Sequence, residues 1–221
     1  MKQEADDDRS IAAQVAKELA VRIVTGVIAP GAKLRQDEIA VEFGSSHVPV
    51  REAFRRLEAQ GLVVAEPRRG VRVPPINPAD VAEVTTMRAA LEALALRAAA
   101  PHTDSRVLAE ARSALDQAAQ SGNILDWERS NRAFHRALVA PCGMKRLLNA
   151  IDDLHRADAR FLFSAWQDLG WKNRSDHEHE AILKAVKAKN TDRAAALLSA
   201  HITKAGEALV KDIAAKMRPT A

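Results

Sequence analysis

The chain has 221 residues, 47% of them hydrophobic, 4% aromatic and none tyrosine, with a formal charge of +4. That much apolar material serves one large globular domain or two small ones, and abundant alanine with few aromatics favours helices over sheets. Cys142 is the single cysteine, which excludes an intramolecular disulfide, and no apolar run approaches the roughly 18 residues of a membrane span, so a soluble cytoplasmic protein is expected.

Residues 1–9, with Asp6-Asp7-Asp8, form an acidic leader that is expected to be disordered and is unlike a signal peptide. Ser10 then caps a helix whose Ile11, Val15, Leu19, Ile23 and Val24 keep helical spacing. Gly26 ends it, and Ala29-Pro30-Gly31 reads as a turn. A short helix from about Gln36 to Phe43 turns Ile39, Ala40 and Phe43 inward. Gly44 to His47 is a second turn, in which Ser45 or Ser46 can cap the helix that follows. In that helix Pro49 must sit in the first turn, where its missing N–H has no partner to lose, and Gly61 lies just past the end. Val50, Ala53, Phe54 and Leu57 share one face, while Arg51 and Arg55 project from another side with Val48 nearby. A short helix buried on one side and cationic on the other suits the major groove of DNA, although a solvated surface helix has the same pattern.

The runs Leu62–Ala65 and Val71–Val73 are β-prone and flank Glu66-Pro67-Arg68-Arg69-Gly70, a hairpin with a basic tip. Three helices and a basic hairpin make a winged helix-turn-helix over residues 10–73. From Arg9 to Val73 there are eleven Lys/Arg against seven Asp/Glu, the more cationic third of the chain, as phosphate binding requires. Pro74-Pro75-Ile76-Asn77-Pro78 is a stiff linker over residues 74–78. Beyond it, residues 79–217 have helical period throughout, with helices expected near 79–100, 104–121, 123–140, 143–168, 174–189 and 191–216. The fold class is mainly α, a winged helix-turn-helix followed by an all-α bundle.

These residues carry a family resemblance. Ala29-Pro30-Gly31-Ala32-Lys33-Leu34, the run from Ser45 to Leu62, and Pro67-Arg68-Arg69-Gly70 resemble the GntR family of bacterial transcription regulators. Arg88-Ala89-Ala90-Leu91-Glu92, Asn131-Arg132-Ala133-Phe134-His135, His179-Glu180-Ala181-Ile182-Leu183-Lys184-Ala185 and the later His201 resemble its FadR subfamily, with an all-helical FCD effector domain. The resemblance implies that Ser46, His47, Val48 and Arg51 touch bases and phosphates and that Arg69 and Gly70 of the wing tip reach the minor groove or phosphates; Arg55, one turn after Arg51 on the same side of the helix, is added from spacing. The family more often has Arg then Thr where this chain has His47 and Val48. That removes a bidentate guanine contact and leaves Val48 to meet a thymine methyl.

His135, His179 and His201 lie on three predicted helices, each in an apolar stripe, and Asn131 shares a face with His135. One such histidine is more often a satisfied core residue. Three from separate helices, in the family's order, point to a metal site. The resemblance makes Asn131, His135, His179 and His201 its ligands, with Asn131 standing where the family usually has Asp. Imidazoles suit a divalent ion such as Zn or Ni. His102, His155 and His177 have no evident partner and are left out. Arg88 is expected to meet a carboxylate effector, its alternative being an intrahelical pair with Glu92. Trp166 and Ser175 fall where relatives line the effector pocket.

The implied protein is a homodimeric transcription regulator, expected to repress, that binds palindromic operator DNA and responds to a small organic or sugar acid. It is not expected to be an enzyme. A metal-dependent enzyme using the same histidines lacks an acid/base in the motif, as in His-Glu-x-x-His, and leaves the winged helix unexplained. An architectural DNA-binding protein would show no response to small molecules.

Overall fold

The computed structural model describes residues 10–67, 69–165 and 171–216; the acidic leader lies outside them. The chain divides into two compact units, one ending at Ile76 and one beginning at Asn77.

The first unit contains α1 (Ile11–Val24), β1 (Lys33–Leu34), α2 (Gln36–Glu42), α3 (His47–Ala59), β2 (Val64–Glu66) and β3 (Gly70–Arg72). The Ser10 hydroxyl accepts from the Ala13 amide at 3.2 Å and so caps α1. Ser46 occupies the N-cap of α3 without any side-chain cap hydrogen bond, which corrects the serine cap expected there. Its helix start is set instead by the turn at Gly44, where φ is +56°, and by Pro49, whose ring fixes a helical φ in the first turn. Gly61 takes φ +73° just beyond α3, the left-handed position expected after a helix. The hairpin pairs β2 with β3 in antiparallel register, Ala65 opposite Val71. A third strand was not expected: β1 adds to the other edge of β3, with Leu34 opposite Val71. Two residues are too few to show strand alternation, so their own sequence carried no sign of it. The core is built from Val15 and Leu19 of α1, Val50, Ala53, Phe54 and Leu57 of α3, and Leu62 and Val63 before the wing, all buried.

The second unit is helical throughout its described residues: α4 (Pro78–Ala99), α5 (Ser105–Gln120), α6 (Ile124–Val139), α7 (Lys145–Ala165), α8 (Trp171–Lys187) and α9 (Thr191–Lys216). Asn77, Asp104 and Asn123 cap α4, α5 and α6 with their side-chain oxygens. The breaks expected at Pro101 and Pro141 are short 3₁₀ turns, Ala100–His102 and Ala140–Cys142. Small residues (Ala89, Ala93, Ala111, Ala114, Ala194 and Ala195 among them) let the helices approach closely around Leu96, Phe134, Leu138, Ile182, Leu198 and Ile202. No described helix is long and apolar enough to cross a membrane.

Helices α4 and α9 approach closely at Gly206. A Cβ on Gly206 would fall 2.6 Å from Thr85 Cβ and nearer still to its hydroxyl, and Thr85 is itself buried. Gly206→Ala should therefore lower the unfolding free energy by about 1–3 kcal/mol through overpacking, although alanine is the better helix former by about 1 kcal/mol. Urea unfolding followed by circular dichroism tests this; a midpoint at or above that of the parent chain would contradict the tight crossing.

Candidate metal centre and nucleic-acid interface

Three helices each bring one histidine to a common point inside the second unit. His135 comes from α6, His179 from α8 and His201 from α9, and all three are buried. Ring centroids are 5.4 Å apart for His135–His179, 5.5 Å for His135–His201 and 4.5 Å for His179–His201. The Nε2 atoms of His179 and His201 lie 3.1 Å apart. One nitrogen from each of the three rings falls within 4.8 Å of the others. Asn131, one turn before His135 on α6, is buried beside it in sequence and face.

Two polar atoms are left over. His135 Nε2 and Asn131 Oδ1 are fully buried and have no hydrogen-bond partner among the described residues. A buried acceptor without a partner costs about 1–3 kcal/mol; an unpartnered His135 nitrogen in a group of three converging histidines, with an unpartnered Asn131 oxygen one turn away on the same helix, is a donor set that fits a cation. Burial pushes the His179 ring well below the ordinary histidine range, with His201 and His135 adding to the shift. Burial also lowers His135, against the pull of Glu92, and His201, against that of Glu178. All three therefore stay neutral near pH 7, as metal ligation requires.

A charged network adjoins the histidines. Glu92 on α4 places Oε2 2.6 Å from His135 Nδ1 and Oε1 3.0 Å from Arg88 Nε. Its Oε1 also lies 3.1 Å from His155 Nε2 on α7. Arg88 reaches Asp158 of α7 with Nη1. The intrahelical pair of Arg88 with Glu92 is thus present, and Arg88 is buried between two carboxylates rather than free to solvent. Burial opposes ionisation of Glu92, but Arg88, His135 and His155 together outweigh it and hold its pKa well below the usual carboxylate range. Burial raises Asp158 and Glu128 instead.

Leaving out His155 for lack of a partner was wrong: it is 4% exposed and paired to Glu92. The signal was available in its spacing, since Ile151, His155, Asp158, Ala159 and Leu162 form one buried helical stripe. Glu92, Asp158 and Glu178 were also not foreseen as parts of the site; Glu178 Oε2 lies 2.7 Å from His201 Nδ1. Ser175 is buried on α8, one turn before His179. His177, two residues from His179, is exposed on the other side of that helix, and His102 is exposed as well. Trp166 lies outside the described residues.

In the first unit Ser46, His47, Val48, Arg51 and Arg55 are all exposed along the start and outer side of α3, and Arg69 and Gly70 are exposed on the wing. Val48 is 63% exposed, unusual for its type, and faces a groove of about 650 Å³ with Ile11, Pro49, Arg51 and Arg55. His47 Nδ1 lies 3.3 Å from Asp37 of α2, and Gln36 Nε2 donates to the His47 carbonyl at 3.3 Å, so α2 steadies the helix tip. The Ala65 amide donates to Glu58 Oε1 at 3.0 Å, tying the wing to α3. Gly70 has φ +87°, a turn geometry that frees the wing tip of a side chain.

Comparison with known proteins follows the same division. The gntR family of bacterial regulatory proteins matches residues 11–73, and the FCD domain matches residues 83–204. A probable D-xylose utilization operon transcriptional repressor of Paenarthrobacter nicotinovorans is 30% identical over 195 residues, 87% of this chain and 86% of that one. The HTH-type transcriptional repressor GlaR of Escherichia coli is 29% identical over 197 residues, covering 81% and 87%. Among solved structures, a GntR family regulator from Pseudomonas syringae pv. tomato has TM-score 0.59 at 30% identity, covering 93% of this chain and 87% of that one. McbR/YncC of E. coli has TM-score 0.71, covering 92% and 99%, and at 24% identity speaks for the fold alone.

The neutral buried histidines fix a pH dependence for the metal-free chain. Their folded pKa values are lowered, so the unfolded chain takes up protons first as pH falls. Stability should be level above about pH 7.5 and decline below the ordinary histidine value of about 6.5, by up to about 1.4 kcal/mol per pH unit for each ring kept neutral. Urea titrations in chelator at pH 7.5 and 5.5 measure it; equal stability at the two would contradict neutral burial.

Proposed function

The chain belongs to the GntR family of bacterial regulatory proteins and carries an FCD domain, and from that premise we propose that it is an operator-binding repressor controlled by a small carboxylate at a metal-containing pocket. That it is a DNA-binding transcription regulator rather than an enzyme follows from the family and from relatives that are named as regulators throughout.

In the proposed reading α3 enters the major groove of double-stranded operator DNA. Arg51 and Arg55 supply guanidiniums to base edges and phosphates, Val48 meets a thymine methyl, and Ser46 and His47 engage the helix entry. Arg69 and Gly70 approach the backbone or minor groove from the wing. The chain acts as a homodimer on a palindromic site, since protein two-fold symmetry is mirrored in the half-sites. Repression follows the relatives, three of which are named as repressors. The name of one refers to D-xylose utilization; the effector proposed for this chain is a sugar acid or other small organic acid.

Asn131, His135, His179 and His201 are the proposed ligands of a divalent ion, Zn or Ni. The observation that carries this is the convergence of His135, His179 and His201, one nitrogen of each within 4.8 Å of the others, with His135 Nε2 and Asn131 Oδ1 buried and unpartnered among the described residues. When bound, the ion supplies a positive charge to which an effector carboxylate can bind. Ser175, Trp166 and Arg88 are the proposed effector contacts, Arg88 by exchanging part of its pairing with Glu92 and Asp158 for the incoming carboxylate. The effector shifts the regulator between DNA-competent and incompetent states only by its differential affinity for them.

Two substitutions separate the halves of this reading. Arg51→Ala should weaken operator binding about ten- to a hundredfold in a gel-shift titration, and unchanged affinity would reject α3 as the reading helix. His179→Ala should abolish bound metal, measured by elemental analysis, while operator affinity in the absence of effector stays within about twofold. Full metal content in that variant would reject the centre.

A further inference from the structure

The two carboxylates nearest the histidines touch them through the same ring atom. Glu92 Oε2 is 2.6 Å from His135 Nδ1, and Glu178 Oε2 is 2.7 Å from His201 Nδ1. In both rings Nε2 is the nitrogen left for the centre: His201 Nε2 faces His179 Nε2, and His135 Nε2 is unpartnered among the described residues. A neutral imidazole that donates to a carboxylate from Nδ1 has its proton there and its lone pair on Nε2.

We propose that Glu92 and Glu178 are positioning residues of the metal centre, which hold His135 and His201 in the Nδ1–H tautomer so that both Nε2 lone pairs are directed at one divalent ion. The inference rests on the metal reading above and extends it to two residues that the ligand set does not include.

Charge gives them a second task. Three imidazoles and an amide are all neutral, so a buried divalent ion would meet no anionic ligand from the chain. Glu92 and Glu178 place negative charge one imidazole away, where it raises ligand basicity without occupying a coordination position. Glu92 is held in that outer place. It is fully buried, and its oxygens meet Arg88 Nε, His135 Nδ1 and His155 Nε2 at 3.0, 2.6 and 3.1 Å. Swinging toward the ion would strip these donors of their acceptor.

The same contacts argue against a second ion. Glu92, His135 and His155 also bring ligand atoms within 4.8 Å of one another. A cation already serves that group, however: Arg88 contacts the Glu92 carboxylate, and its Nη2 lies 3.5 Å from His155 Nε2. This trio is the outer layer of the His135, His179 and His201 centre, and the chain should bind one ion.

The test uses the full chain with Glu92→Gln and Glu178→Gln, titrated with Co²⁺ or Zn²⁺ against a competing chelator. The parent chain should bind one ion, and each variant should bind it about 10–100-fold more weakly. Glu178 is partly exposed, so that variant keeps the question open to measurement should Glu92→Gln fail to fold. Long-range ¹⁵N NMR of the metal-free chain reads what a merely structural role would leave unchanged: His135 and His201 should be Nδ1–H in the parent, and the ring facing the substituted residue should become a mixture. Unchanged affinity in both variants, an Nε2–H form in the parent, or two bound ions would overturn the inference. A parent that binds no ion would instead refute the metal reading, whereas a parent that binds while the variants bind equally well refutes the positioning role alone.

Discussion

Arg88, Glu92 and Asp158 put three charges into the interior of a bundle otherwise built of alanine, leucine and isoleucine. Each buried ion costs several kcal/mol in lost hydration, recovered only where the geometry lets every charge meet its partners. Here one carboxylate, Glu92, is shared by the arginine one turn before it and by histidines from α6 and α7. The rotation of α4 and the register of α6 and α7 against it are therefore constrained together: a shift of one residue in any of them would leave a buried charge alone. Such networks are weak sources of net stability but strong determinants of a single arrangement, and this one lies directly behind His135.

From that constraint the properties of the histidine centre follow. Glu92 is kept ionised by its three neighbours, so His135 has a fixed acceptor on one nitrogen and offers the other to the interior. Burial keeps the rings neutral. The DNA-facing unit is built on the opposite principle. Its charged side chains lie at or near the surface, and ion pairs such as Arg35–Glu38 are solvated and individually worth little. One unit uses buried charges for internal order, and the other keeps its ion pairs at the surface.

Most of the fold was legible because it repeats. Apolar residues at helical spacing located every described helix of the second unit within a few residues, and the buried face of α3, Val50, Ala53, Phe54 and Leu57, was read correctly from period alone. What was missed has no period. The strand Lys33–Leu34 is defined by its partner strand β3, and the serine at the start of α3 resembles a cap although its side chain makes no cap hydrogen bond. At the centre, His135, His179 and His201 were found because they interrupt apolar stripes. Asp158 was passed over because a charged residue on a helix reads as solvent-facing, His155 because its partner Glu92 lies on another helix, and Glu92 was read only as the intrahelical partner of Arg88. Arg88 was assigned to an effector or to Glu92, and its second carboxylate, 70 residues away, has no local sign.

On the proposed reading, three imidazoles converge on one ion through nitrogens left free for it. X-ray absorption at the metal edge of the zinc- or nickel-loaded chain tests that most directly. A shell of nitrogen and oxygen only is expected, at the ~2.0–2.1 Å usual for zinc with imidazole, with outer-shell scattering from about three rings. A sulfur shell at about 2.3 Å, which would implicate Cys142, or scattering from fewer than two imidazoles would contradict it.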